Sequence, residues 1–97
     1  MFARMTTVQV RPDAMDQAIS IYRDSVIPAA KAQQGFISAS MFTDQASGKG
    51  VAITIWQTME DLQAGETSGF YQEQVAKFAP LFTAPPVRES FEVRVPA

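Results

Sequence analysis

Twice along this chain a stretch with the two-residue period of a strand gives way to the three- and four-residue spacing of a helix, and then returns. That alternation constrains the fold more than any other feature. From Phe2 to Val10 the chain is rich in Val, Thr, Phe and Met, and it stops at Arg11-Pro12-Asp13, where proline removes a ladder donor. From Asp13 the apolar positions Met15, Ala18, Ile19, Tyr22, Val26, Ala29 and Ala30 form one helical stripe. Asp13 is placed to accept the orphan amides of the first turn, and Gly35 to end the helix. Pro28 lies inside it and predicts a kink or restart near Ser25 to Ile27, since its ring crowds the preceding turn and it has no N–H to donate.

The second half repeats the pattern. Phe36 to Thr43 reads as strand two, with Ile37, Ala39 and Met41 on one face and Phe36, Ser38, Ser40 and Phe42 on the other. Val51 to Gln57 is strand three, and the turn-rich loop Asp44 to Gly50 makes the two an antiparallel hairpin. Thr58 and Asp61 resemble a capping box, so a short helix begins there and runs through Leu62 before Gly65 weakens it. Ser68-Gly69 restarts the chain into a helical stripe of Tyr71, Gln74, Val75, Phe78, Ala79 and Phe82, closed by Pro85-Pro86. Strand four is Val87 to Val95, with Val87, Glu89, Phe91, Val93 and Val95 on one face. The order βαββαβ predicts an α+β, ferredoxin-like unit: a four-stranded antiparallel sheet with both helices on one face, as a single domain over residues 1–97. Strand two is apolar on both sides, so the uncovered face is expected to pair with that of a second copy, giving a homodimer.

Composition narrows the chemistry. The 97 residues contain no Cys and no His, which removes a thiolate nucleophile, the commonest general base and the usual metal ligands; no metal or other cofactor is expected. Eight basic against ten acidic residues give a net charge of −2 with no gathered Lys or Arg, which argues against nucleic acid. No apolar run approaches the ~18 residues that span a bilayer, and Met-Phe-Ala-Arg-Met-Thr is not a signal peptide, so no membrane partner and a cytoplasmic location are expected. Chemistry here falls to Tyr, Trp, Arg, Asp or Glu.

Three stretches carry a resemblance. Phe2 to Pro12 (Phe-Ala-Arg-Met-Thr-Thr-Val-Gln-Val-Arg-Pro), Gln34-Gly35-Phe36-Ile37 and Ile55 to Leu62 (Ile-Trp-Gln-Thr-Met-Glu-Asp-Leu) are similar to the antibiotic biosynthesis monooxygenase domain of the dimeric α/β-barrel superfamily. The resemblance implies that two ferredoxin-like units join their sheets into a barrel. It also implies that an aromatic polyketide precursor could be oxygenated without metal or cofactor, whereas other members degrade haem. Trp56 matches the indole of the polyketide oxygenases, while Ala52, Leu62 and Met41 stand where those enzymes carry an asparagine and two tyrosines. For the haem-degrading members the matching positions are Thr6, Gly65 and Val75, none of which keeps the family's residue.

Four residues are candidates for orienting and stabilising a small aromatic, quinol- or polyketide-like ligand: Trp56, Tyr71, Tyr22 and Arg4. Each also has a purely structural reading. Trp56 can be core with its N–H satisfied and Tyr22 a packing residue of helix one; Tyr71 follows Gly69-Phe70 at a helix start, near amides that could assist anion binding. Arg4 shares a strand face with Phe2, Thr6 and Val8, where an ion pair with Glu89 or Glu92 is expected. Arg88, Glu92 and Arg94 read as a solvated edge. Two functions stay open: a cofactor-independent oxygenase, and a non-catalytic dimeric domain that binds a small ligand or serves a stress-related role.

Overall fold

In the computed structural model, which describes residues 1–96, the chain forms a four-stranded antiparallel sheet in the order β2-β3-β1-β4. The strands are β1 (Phe2–Gln9), β2 (Phe36–Asp44), β3 (Lys49–Trp56) and β4 (Val87–Glu92). The helices are α1 (Met15–Ile21), α2 (Ile27–Lys31), α3 (Met59–Thr67) and α4 (Phe70–Ala76). The order is the expected βαββαβ, each crossover being split into two helices.

The split in the first crossover has a local cause. Tyr22–Val26 forms a wide π turn in which the Ile27 N–H donates to Tyr22 O, five residues back, before α2 restarts with Pro28 near its first turn. The slipped turn places Pro28 where no donor is required. The restart therefore occurs where the proline predicts it. Asp13 does not cap α1: Pro12 opens a 3₁₀ turn over Pro12–Ala14, so helical geometry begins before Asp13 and Ala14 takes the cap position. In the second crossover Thr58 accepts the Asp61 N–H at 3.1 Å as a cap, and α3 continues through Gly65 to Thr67. Gly65 does not weaken this helix because it is buried against Phe70 and the Arg4 guanidinium, where tertiary contact outweighs propensity.

Strand register decides which side chains face the helices. Arg4 lies opposite Thr54, Thr6 opposite Ala52 and Val8 opposite Gly50, so these residues share the helix-covered side with Trp56. Phe36 also pairs with Trp56, but a bulge between Phe36 and Ser38 inserts Ile37 as an extra residue. Phe36 therefore lies with Ala39 and Met41 on the covered side, not with Ser38, Ser40 and Phe42 as simple alternation predicts. Strand four is shorter than expected. Glu92 lies opposite Phe2 and the Val93 N–H reaches Met1 O, beyond which β1 offers no partner.

The apolar core gathers at the far end of β1, where Val10, Ala14, Met15, Ala18 and Leu81 are buried beneath Phe78 and Phe82. The opposite side of the sheet is open. It carries Val51, Ile53 and Ile55 from β3, with Phe42, Val87 and Phe91 exposed by 57%, 55% and 49%. No helix among the described residues is long and apolar enough to cross a membrane.

Candidate functional site

Between the covered side of the sheet and the helices lies a cavity of about 80 Å³. It exists because β3 presents small residues, Ala52 and Thr54, beneath α1 and α4, so the layers cannot close completely. All four candidate residues, Arg4, Tyr22, Trp56 and Tyr71, line it, together with Thr6, Thr54 and Gln74 among otherwise apolar side chains.

Arg4 is only 5% exposed. Its Nη1 donates to Leu62 O at 3.2 Å and to Glu66 Oε2 at 3.4 Å, both on α3. The guanidinium carbon lies 4.5 Å from the Tyr71 ring centre and 5.6 Å from that of Trp56, so one cation is held against two aromatic faces. Burial lowers its pKa, an effect opposed by the Glu66 carboxylate. The expected ion pair with Glu89 or Glu92 is not formed. Ser90 is the residue opposite Arg4, Glu89 falls on the other sheet face, and Glu92 is held by Arg94 at 3.0 Å.

Arg88 is also not a free edge residue. It lies on the covered side with its guanidinium 5.2 Å from the Tyr71 ring centre and 3.8 Å from Glu66 Oε2. Tyr71 thus sits among two guanidinium groups, and its hydroxyl shares a 3.0 Å hydrogen bond with Thr6 Oγ1.

Trp56, 1% exposed, packs edge-to-face on Phe36 and donates its indole N–H to Thr54 Oγ1 at 2.9 Å. The indole N–H is therefore satisfied within the protein, and what Trp56 offers the cavity is an aromatic face. Tyr22 is buried at the π turn, and its hydroxyl makes only a long 3.5 Å contact with Ser40 O. Burial pushes its pKa from 10.0 up to about 12, although the Arg4 charge pulls the other way, so at neutral pH this phenol is a proton donor in hydrogen bonds and not a base.

Two functional candidates escape the periodicity argument. Glu66 is the carboxylate that both arginines approach, and Gln74 is buried on the cavity wall with its amide oxygen held by Lys77 Nζ at 2.7 Å. An ammonium only donates, so the Gln74 amide oxygen faces it and the NH₂ group is left for other partners. A polar residue in the stripe Tyr71, Gln74, Val75, Phe78 was the available signal for Gln74, because a buried amide requires a partner. Glu66 had none, since the contact spans 62 residues.

Against this geometry the comparisons are decisive for kinship. Residues 1–78 match the sequence profile of the antibiotic biosynthesis monooxygenases. The chain belongs to that family. An uncharacterized protein of Mycobacterium tuberculosis, Rv2557, is 32% identical over 96 residues, which cover 95% of this chain and 40% of that protein. The chain thus spans less than half the length of that relative. Among solved structures, the ActVA-Orf6 monooxygenase of Streptomyces coelicolor, in complex with nanaomycin D, superposes with a TM-score of 0.77 at 18% identity, covering 99% of this chain and 89% of the other. SnoaB, a cofactor-independent oxygenase of Streptomyces nogalater, gives 0.75 at 14% identity, covering 98% and 94%. At these identities the likeness is one of fold. The cavity lies within that shared fold.

Proposed function

We propose that the cavity binds a small aromatic, quinol-like molecule and that the chain acts on it as a cofactor-independent monooxygenase, working as a homodimer joined through the open sheet faces. The observation that carries this reading is the convergence of Trp56, Tyr71, Tyr22 and Arg4 on one largely apolar cavity. The volume of about 80 Å³ is below the roughly 150 Å³ of an engineered cavity that admits benzene, so the reading favours a one- or two-ring substrate seated as lining side chains yield.

The chemistry needs little from the protein. An ionised phenol passes one electron to O₂, and the resulting aryloxyl radical and superoxide recombine at a ring carbon as a hydroperoxide. Loss of water leaves a carbonyl there: the substrate supplies the electrons, one oxygen atom stays in the product and the other leaves as water. Arg4 lowers the cost of the phenolate, the Trp56 face and Tyr71 orient the ring, and the protonated Tyr22 and Gln74 donate to substrate oxygens. Burial of these groups excludes water, which strengthens each of those interactions.

The test is O₂ uptake with 1-naphthol, whose conversion to 1,4-naphthoquinone has this stoichiometry, under ¹⁸O₂. The expected result is uptake above the spontaneous rate with one labelled atom in the product. A second reading, ligand binding without catalysis, is favoured by two observations: the indole N–H is already bound to Thr54, and Ala52, Leu62 and Met41 offer no acid–base group. Saturable naphthol binding with no uptake above background would establish that reading instead.

A further inference from the structure

Arg4 carries hydrogen-bonding capacity that the fold leaves unused. Its two contacts, to Leu62 O and Glu66 Oε2, both come from Nη1. Among the described residues Nε and Nη2 have no partner, yet no fully enclosed side-chain nitrogen or oxygen is without one. These N–H groups are therefore not fully enclosed, and Arg4 is a lining residue of the cavity.

The identity of the free pair is informative. Nε–H and Nη2–H are the two parallel donors on one side of a guanidinium, spaced to meet both oxygens of a carboxylate at once. Charge points the same way. Arg4 and Arg88 both approach Tyr71, and among the described residues Glu66 is the only carboxylate within ion-pair distance of either, so two guanidinium charges share one carboxylate there. A planar monoanion answers both the vacant donor pair and the excess charge, whereas a neutral quinol answers neither.

We infer that the ligand of this cavity is an aromatic carboxylic acid, its carboxylate held by Nε and Nη2 of Arg4 and its ring lying against Trp56 and Tyr71. The inference rests on the aromatic-ligand reading of the cavity and adds the acid group to it. Gln74 NH₂ and the Tyr22 hydroxyl then remain for oxygens elsewhere on the ring.

Calorimetric titration tests this with 2,5-dihydroxybenzoate and its neutral counterpart 2,5-dihydroxybenzyl alcohol. The acid is expected to bind about tenfold more tightly than the alcohol, as a charge-assisted bidentate contact implies. Arg4→Lys, which keeps the charge but loses the fork, is expected to remove most of that preference, lowering acid affinity much more than alcohol affinity. Should that variant fail to fold, Glu66→Gln decides the matter. It removes the competing carboxylate, so acid affinity should rise several-fold relative to alcohol affinity. Equal binding of acid and alcohol by the parent, a preference that survives in Arg4→Lys, or no gain in Glu66→Gln would overturn the inference and leave aromatic binding intact. Binding of neither compound would overturn the aromatic-ligand reading itself.

Discussion

A guanidinium on the buried side of a central strand persists only when its charge is answered, and Arg4 is answered by a carbonyl, a carboxylate and two aromatic faces. Tyr71 is the hub of that arrangement through its ring and through its hydroxyl bond to Thr6. Tyr71→Phe keeps the ring, so it should cost about 1 kcal/mol in stability, the net worth of one hydrogen bond, readable by urea denaturation. A loss of several kcal/mol would mean that the hydroxyl holds more of the fold than this one bond. Tyr22 makes a pH-dependent contribution. Its folded pKa of about 12 exceeds the ordinary 10.0, so the folded state holds a proton that the unfolded chain gives up between those values. The contribution is fully present below pH 10 and is lost as pH rises toward 12. Between about pH 9 and pH 11 the parent should lose up to about 1 kcal/mol more stability than Tyr22→Phe, and identical losses would contradict this. The four candidate side chains were legible because aromatic and cationic residues on a predicted covered face need either packing or a ligand. Glu66 and the role of Arg88 were not legible, since both depend on where α3 lies against β1 and β4.

At the level of elements the turns are legible and their ends less so. Gly48 closes the β2–β3 hairpin at φ +78° and accepts the Val10 N–H, and a Cβ there would sit 2.1 Å from Val10 O. Gly69 precedes α4 at φ +88° with nothing within 4 Å of such a Cβ. Both positions favour glycine, but only one is crowded. Gly69→Ala should therefore cost about 1 kcal/mol from backbone strain alone, and Gly48→Ala clearly more, up to about 3 kcal/mol, because backbone must move as well. Equal losses in thermal unfolding would show that the crowding at Gly48 relaxes freely. Strand period and helix stripes identified every strand and both crossovers. They missed the bulge at Ile37, which moves Phe36 to the covered side, and the early end of β4, because pairing partners and not side-chain pattern decide both. The π turn was half visible: Pro28 marked the restart, but nothing local specifies a five-residue slip over a simple kink.

For the molecule as a whole, two surfaces remain to be explained by what they bind. The open sheet face exposes Phe42, Val87 and Phe91 beside the β3 row of Val51, Ile53 and Ile55, an apolar surface suited to a second copy. At micromolar concentration the chain should sediment at two chains' mass, and Phe42→Asp should shift it toward one; a parent that sediments only as a single chain would contradict the pairing. The inner surface is the cavity, and its assignment as a ligand site is the central claim. Trp56 is the sole tryptophan and lines it, so its fluorescence reports that position alone. Titration with hydroquinone should quench Trp56 saturably, and Tyr22→Phe, which removes the hydroxyl assigned to a substrate oxygen, should weaken the apparent affinity about fivefold or more, as loss of a buried hydrogen bond implies. Quenching that rises linearly without saturation and is identical in both proteins would contradict the claim.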